Sequence, residues 1–353
     1  MYLQTSKYQV LSMIGQGSAH QVFKAEHNLT QQLFAIKIEK RPKSGQIQDE
    51  IKVLKELQEI EGVPKIINHG MTPDNKCFLI MPLLNCSLRD LVKSQPLSLS
   101  NILAIGLSII ETLEKVHKKN IIHLDIKPEN IMISQGMQKH SKDQILKPGY
   151  IQLIDFGLSQ SVRNSKFLKN VFFGSLNFAS RASHKGQQLG YKDDLESLFF
   201  VLVYLRNFNL PWSFRPSMGF KNMDIKFIGE MKTSLFNSME LSIKFPLEFS
   251  KFVSYIDVLK HYEMPDYSYI KDLFIKMLLS SMKDQSSTIQ SINYLGNSKN
   301  LQIPVENQLL YDDSIETQIQ EDILDTEAKI ISLSEMVRQY NTVQIKSIVN
   351  IEY

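Results

Sequence analysis

The spacing of hydrophobic residues changes near residue 84 of the 353-residue chain. Before that point, short runs rich in β-branched and aromatic residues alternate with polar turns, a pattern typical of strands. One stretch in this part, 48–61, has helical spacing instead. The pattern therefore predicts a small β-rich unit that contains one helix.

Helical spacing dominates after residue 84. Over 99–119 the apolar residues recur every three or four positions, and either Ser98 or Ser100 can cap this helix at its N-terminus. The stretch 195–205 is apolar nearly all round, which suits a helix only if it is buried on every side. Together the two parts predict an α+β, bilobal fold with a small β-rich N-lobe and a larger, mainly helical C-lobe.

The chain beyond residue 281 has a different composition, rich in Ser, Gln and Asn. The predicted division is a domain over 8–281, with an N-lobe of 8–84 and a C-lobe of 85–281, followed by a tail over 282–353. Apolar residues at a 4-3-4-3 spacing predict an amphipathic helix over 315–340 in the tail. A coiled coil and docking onto the chain's own domain both fit this spacing.

Charge divides along nearly the same boundary. The whole chain has 40 basic and 37 acidic side chains, a formal charge of +3, so its composition gives no reason to expect a nucleic-acid partner. The segment 283–353 holds 5 of the basic and 11 of the acidic side chains. The tail is therefore acidic and the domain basic, which favours intramolecular docking of the tail.

The sequence has no features of a secreted or membrane-anchored protein. Cys77 and Cys86 are its two cysteines, and neither a CxxC motif nor the apolar core of a signal peptide is found. The most apolar stretch, 198–205, is far shorter than a membrane span. We therefore expect a reducing compartment, the cytoplasm or the nucleus, and no membrane partner.

A glycine-rich segment lies between two predicted strands. Ile14, Gly15, Gly17 and Val22 stand at positions from which a hairpin can lower backbone amides over nucleotide phosphates. Two glycines in a turn are weak support by themselves, and His20 stands where the pattern G-x-G-x-x-G has its third glycine. The segment becomes informative only together with the residues that follow it.

Ala35 and Lys37 belong to the strand-like sequence F-A-I-K. A lysine at the end of such a strand can contact the α- and β-phosphates of ATP when a carboxylate holds its ammonium group. Glu50, on the next predicted helix, is suited to that role. The three residues therefore extend the predicted nucleotide site beyond the glycine-rich segment.

The most specific pattern is H-L-D-I-K-P-E-N over 123–130, followed by an I-D-F-G sequence that contains Asp155. Phosphoryl transfer needs a carboxylate that orients and deprotonates the acceptor hydroxyl, and Asp125 suits this role. Lys127 is close enough along the chain to reach the transferring phosphate. Asn130 and Asp155 offer the oxygen ligands that Mg²⁺ prefers. The set predicts ATP and Mg²⁺ as cofactors.

These motifs resemble those of protein kinases, and further segments resemble casein kinase I. These segments are M-P-L-L-N-C-S-L from Met81, G-S-L-N-F-A-S from Gly174, K-D-D-L-E-S-L from Lys192, L-P-W from Leu210 and P-D-Y-S-Y from Pro265. The resemblance covers about residues 8–280 and implies a protein kinase fold. It also implies that Met81 is the gatekeeper and that the backbone of Leu84 meets the adenine ring.

Four positions depart from the pattern of casein kinase I. His20 replaces a glycine, Pro82 a hinge glutamate, Leu124 the arginine of H-R-D, and Asn177 an arginine. In the family, the arginine replaced by Asn177 contributes to a basic pocket for a phosphate or an acidic side chain of the substrate. Lys232 is expected to supply part of the missing charge.

Three functions are compatible with these residues. An active serine/threonine protein kinase with acidic protein substrates is expected, because every residue assigned to metal, base or phosphate is present. The replacements at His20 and Leu124 motivate the alternative of a catalytically weak pseudokinase that acts as a binding module. A small-molecule kinase of related fold is the third, but the segments after Asp155 that resemble casein kinase I argue against it.

Overall fold

A computed structural model describes residues 7–42, 45–134, 145–163, 170–213 and 225–281. All of these residues fall within one compact unit, 1–291. The predicted tail, its helix over 315–340 and any docking of the tail lie outside the described residues. The boundary at residue 281 stays a prediction.

The N-terminal part is a five-stranded antiparallel sheet. Its strands are β1 Tyr8–Gln16, β2 His20–His27, β3 Leu33–Glu39, β4 Asn68–Met71 and β5 Cys77–Pro82. They lie side by side in the order β1-β2-β3-β5-β4. The glycine-rich segment forms the turn between β1 and β2, and Lys37 on the central strand pairs with Val22 on one side and Leu79 on the other. The sheet therefore places the loop and the lysine next to each other.

One helix, α1 Gln46–Glu56, packs against this sheet. The sequence predicted a longer helix, over 48–61, and its end was wrong. The chain leaves the helix at Leu57, whose amide donates to the carbonyl of Leu54 at 3.1 Å, and two further tight turns bring Ile60 and Val63 into the core.

The C-terminal part is mainly helical. Its elements are β6 Cys86–Ser87, α2 Leu88–Ser94, α3 Leu99–Lys118, β7 Ile121–Ile122, β8 Ile131–Ile133, β9 Ile151–Leu153, β10 Gln160–Ser161, α4 Arg181–His184, α5 Tyr191–Asn207, α6 Ile225–Asn237, α7 Leu247–Val258 and a helix, α8, over 267–281. Ser98 is the cap of α3, since its hydroxyl accepts a hydrogen bond from the amide of Asn101 at 3.2 Å.

Helix α5 lies at the centre of this part. Its residues 195–203 are all buried, as the apolar sequence predicted. They belong to one hydrophobic core that also takes in the inward faces of α3, α6, α7 and α8. The N-terminal antiparallel sheet and the helical C-terminal part confirm the predicted α+β, bilobal fold. Among the described residues, no helix is both long and apolar enough to cross a membrane.

A buried ion pair ties α4 to α5. Arg181 at the start of α4 is bonded through Nε to Oε1 of Glu196 on α5 at 3.0 Å, and through Nη2 to Oδ1 of Asp257 on α7 at 2.9 Å. The two acidic side chains differ in environment, because Glu196 is 1% exposed and Asp257 is 50% exposed. No pattern in the sequence predicted this network.

We expect Glu196→Ala to lower the free energy of unfolding by about 3–5 kcal/mol, because it leaves the buried Arg181 guanidinium without its main partner. Asp257→Ala removes the exposed partner of the same guanidinium and is expected to lower it by less than about 1 kcal/mol. Urea unfolding of both variants measures the difference. Equal losses would show that burial does not set the strength of this network.

Candidate active site

All the functional residues predicted from the sequence except Asp125 line one cleft of about 810 Å³. The glycine-rich loop and β2 contribute one wall, the segment after β5 contributes another, and residues around β8 and β9 contribute the rest. The predicted residues on its surface are Ile14, Gly15, Gly17, Val22, Ala35, Lys37, Glu50, Met81, Leu84, Lys127, Asn130 and Asp155. The fold therefore brings together residues that are more than a hundred positions apart in the chain.

Lys37 bridges two carboxylates inside the cleft. Its ammonium group lies 2.7 Å from Oε2 of Glu50 on α1 and 2.7 Å from Oδ1 of Asp155. Glu50 is fully enclosed, whereas the Asp155 side chain is 26% exposed. The helix α1 thereby fixes the lysine, and the lysine in turn holds Asp155.

A second polar cluster surrounds Asp125, which lies beside the cleft and not on its lining. Lys127 Nζ is 2.6 Å from Oδ2 of Asp125, and Nδ2 of Asn130 donates to the same oxygen at 3.0 Å. Nδ2 of Asn130 also donates to the backbone carbonyl of Asp125 at 2.9 Å. The short turn Pro128–Asn130 folds the motif back on itself and makes these contacts possible.

The two aspartates of the site are shifted in opposite directions. Burial raises the pKa of Asp125, against the lowering effect of Lys127. Burial would also raise the pKa of Asp155, but the charge of Lys37 and its hydrogen bond outweigh burial, so the pKa lies well below its ordinary value. A carboxylate with a raised pKa suits proton transfer, and one that stays ionised suits a cation.

Asn130 and Asp155 fit a divalent cation. Since the amide nitrogen of Asn130 makes both bonds to Asp125, its Oδ1 is the atom left for a cation. Lys37 is bonded to Oδ1 of Asp155, which leaves Oδ2 for the same purpose. Amide and carboxylate oxygens are the ligands that Mg²⁺ accepts.

Asp194 on α5 supports the segment that carries Asp125. Its carboxylate accepts hydrogen bonds from the backbone amides of His123 at 2.7 Å and Leu124 at 2.8 Å, and lies 2.9 Å from Nε2 of His117. The other ring nitrogen of His117 lies 2.6 Å from the hydroxyl of Tyr267. Both Asp194 and Tyr267 belong to segments that resemble casein kinase I, which gives those segments a structural role.

Comparison with known proteins agrees with this geometry. The family model for the protein kinase domain matches residues 8–294. The chain belongs to the protein kinase family. It is also 30% identical over 281 residues to casein kinase I homolog 2 of Schizosaccharomyces pombe, with 77% of the chain and 62% of that protein covered. The chain thus spans less than two thirds of this relative, and the resemblance to casein kinase I is confirmed.

Leu124 of this kinase domain shows how an arginine position accepts an apolar residue. Its side chain is buried and packs with Ile122 and Tyr191 in a small hydrophobic cluster. Its backbone adopts a left-handed conformation, with φ of 65°. Because the leucine side chain is uncharged and buried in this cluster, it offers no charged partner to a phosphate on the activation loop.

Lys232 is a correction to the sequence analysis. We expected it to attract acidic substrates as a point charge, but its side chain is completely buried. Its Nζ donates to the carbonyls of Leu176 at 3.0 Å and Ala179 at 2.6 Å, and burial lowers its pKa well below the ordinary value. Lys232 therefore braces the backbone on both sides of Asn177 and offers no charge to a substrate.

Several residues that line the cleft, among them Met132 and Ile154, were missed by the sequence analysis. Met132 and Ile154 line the cleft and supply apolar surface beside Met81. Alternation along the short strand 131–133 could have pointed to Met132, which is half-buried between two buried isoleucines. For Ile154 the only signal was its place immediately before Asp155.

Adjacent aspartates on α5 allow a matched test of how Asp194 supports the segment that carries Asp125. The pKa of Asp194 is lowered because the hydrogen bond and charge of His117 outweigh burial, whereas burial raises the pKa of Asp193 to about 7. At pH 6, Asp194→Asn should lower the free energy of unfolding by about 3 kcal/mol, because an amide cannot accept from all three donors. Asp193→Asn, in which a largely protonated carboxyl is replaced, should lower it by less than about 1 kcal/mol.

Urea unfolding at pH 6 and pH 8 measures both variants. The protonated carboxyl of Asp193 contributes its full stabilisation at pH values below the pKa of the unfolded state. That contribution is lost as the pH rises through the folded-state pKa of about 7. The Asp193→Asn variant should therefore gain stability relative to the unaltered chain from pH 6 to pH 8. Equal losses for the two variants at pH 6 would contradict the assignment of Asp194 as the charged support.

Proposed function

We propose that the chain is an active serine/threonine protein kinase that transfers the γ-phosphoryl group of ATP to hydroxyl groups of acidic protein substrates. The observation that carries the proposal is the Lys37 ammonium bonded at once to Glu50 and Asp155. In phosphoryl transfer this lysine contacts the nucleotide phosphates and its glutamate keeps it in place. A binding module would have no need for this arrangement beside an aspartate such as Asp125.

Each polar group has a role in the proposed reaction. Asp125 orients the substrate hydroxyl and takes its proton, a role that its raised pKa suits. Lys127, bonded to Asp125, is placed to stabilise the transferring phosphoryl group as negative charge develops on it. A Mg²⁺ ion held by Asn130 and Asp155 would neutralise charge on the β- and γ-phosphate oxygens.

A catalytically weak pseudokinase is the second candidate, and the replacements at His20 and Leu124 favour it. Neither replacement removes a group that we assign to phosphate, proton or metal. Leu124 also keeps the backbone hydrogen bond to Asp194 that holds the catalytic segment. These points support activity, and they support activity without a phosphate on the activation loop.

We expect Asp125→Asn, Lys37→Met and Asp155→Ala each to abolish transfer of labelled phosphate from ATP to casein. The unaltered chain should turn over at roughly 1–100 per second, the range of protein kinases. Each replacement removes a group that acts on the proton, the phosphates or the metal. The measurement is the initial rate in the presence of Mg²⁺, with small-molecule acceptors as a parallel set of substrates.

Lys251→Ala is a suitable control, because this lysine is exposed on α7 and does not line the cleft. Its rate should equal that of the unaltered chain. Near-normal turnover in Asp125→Asn would remove the proposed base, and an inactive unaltered chain would favour the pseudokinase. Transfer to small molecules alone would favour the small-molecule kinase.

The preference for acidic substrates is expected to be modest. The excess of basic over acidic side chains before residue 283 attracts acidic segments in general. Asn177 supplies only neutral hydrogen bonds where casein kinase I has an arginine, and Lys232 is buried. A neutral bond is about half as strong as a charge-assisted, bidentate one. A phosphate already on the substrate should therefore help only slightly.

Asn177→Arg should raise the preference for a phosphorylated over an unphosphorylated version of the same peptide on the order of tenfold. The ratio of the two kcat/KM values measures it. Asn177→Gln is the control, since it lengthens the side chain without adding charge and should leave the ratio within about twofold. A large ratio already present in the unaltered chain would show that another residue recognises the phosphate.

A further inference from the structure

His20 stands at the third glycine position of the loop, and its side chain belongs to the cleft. Strand β2 begins at this residue, and alternate side chains of a strand share one face. His20, Val22 and Lys24 accordingly all line the cleft. Ser18 and Ala19, at the tip of the loop, do not line it. The imidazole is therefore part of the nucleotide site.

The turn of the loop holds the imidazole in place. A Cβ atom on Gly17 would lie 2.8 Å from Cε1 of His20, so the ring packs against the backbone of Gly17 and needs a glycine there. Lys40, directly after β3, braces the turn. Its Nζ donates to the carbonyl of Gly17 at 2.7 Å, and its amide donates to the carbonyl of Ala19 at 2.8 Å.

The ring lies among the charged groups that we assign to the phosphates. The pKa of His20 is lowered to about 4, mainly by burial. The positive charge of Lys37 lowers it further, and that of Lys127 does so to a smaller extent. Asp155 acts in the opposite direction. A neutral imidazole carries one N–H donor and one acceptor nitrogen. It can thus donate to a phosphate oxygen without bringing a charge of its own.

We propose that His20 is a phosphate-binding residue, whose ring N–H donates to a terminal phosphate oxygen of a nucleoside di- or triphosphate in the cleft. The inference rests on the proposed function, because it requires the nucleotide to occupy this cleft. A loop with glycine at this position offers backbone amides alone. Here a side-chain donor is added to them, so affinity depends more strongly on the phosphate groups of the ligand.

The opposing interpretation is that the ring fills the space of the phosphates. With the ring in place, the cleft still measures about 810 Å³. Sites for drug-sized ligands range from about 300 to 1,000 Å³. Room for a nucleotide therefore remains, and the packing of the ring against Gly17 keeps it at the loop.

Binding of ATP, ADP and adenosine to three variants separates the two interpretations. His20→Gly should weaken binding of ATP and ADP about tenfold, the effect of losing one hydrogen bond to a charged oxygen, and change that of adenosine less than twofold. His20→Gln keeps an N–H donor and should recover most of the loss. Ser18→Gly is the control for added flexibility in the loop and should change none of the three affinities. Calorimetric titration measures binding without reference to turnover.

Several outcomes would overturn the proposal. Tighter binding of ATP to His20→Gly would show that the imidazole obstructs the phosphates. An equal loss for adenosine, or the same loss in Ser18→Gly, would show that loop shape and not a phosphate contact is responsible. If neither the unaltered chain nor His20→Gly bound any of the three ligands, the proposed function would fail together with this inference. If the unaltered chain bound ATP tightly and His20→Gly bound it equally well, this inference alone would fail.

Discussion

The burial of one ionised carboxylate, that of Asp194, organises the segment that carries the candidate base Asp125. Asp194 has no exposed surface, so its charge is stable only while donors surround it. The donors it finds are the amides of His123 and Leu124 and the ring of His117. Because α5 is buried on every side, the carboxylate cannot move to meet them. The segment 123–125 therefore folds against Asp194, and this sets the position of Asp125.

This attachment requires backbone conformations that are otherwise unfavourable. Leu124 and Asp155 both have φ of 65°, in a region that side-chain-bearing residues seldom occupy, at a cost of order 1–3 kcal/mol each. At Leu124 the hydrogen bond to Asp194 offsets this conformational cost, and at Asp155 the ion pair with Lys37 offsets it. Between them, Nδ1 of His123 accepts from the amide of Asp125 while Nε2 donates to the carbonyl of Ile154. One histidine thus links the two strained segments.

Local patterns predicted much of the fold and the cleft, because each motif carries its own geometry. The strand alternation around Lys37 and the folded-back turn before Asn130 depend on neighbours in the sequence. Long-range packing decided what could not be predicted. Nothing local distinguishes Lys232, which is buried under the segment that contains Asn177, from a solvated lysine on a helix. The predicted end of α1 was wrong for a similar reason, since the turns that follow Glu56 bury Leu57, Ile60 and Val63 in the shared core.

The main hydrophobic core contains residues of both lobes. Ile47, Ile51 and Leu54 of α1 share one continuous cluster with Phe156 and with the helices around α5. The strands of the hairpin β1–β2 instead pack with β3 and β5 in two small separate clusters. Helix α1 therefore packs with the helical C-terminal part, although it precedes β4 and β5 in the chain. Cleaving the polypeptide after β5 would divide a single cooperative folding unit, and neither fragment would retain a complete interior. The hairpin, in contrast, shares its buried side chains with β3 and β5 alone, so a substitution among them would leave that interior intact.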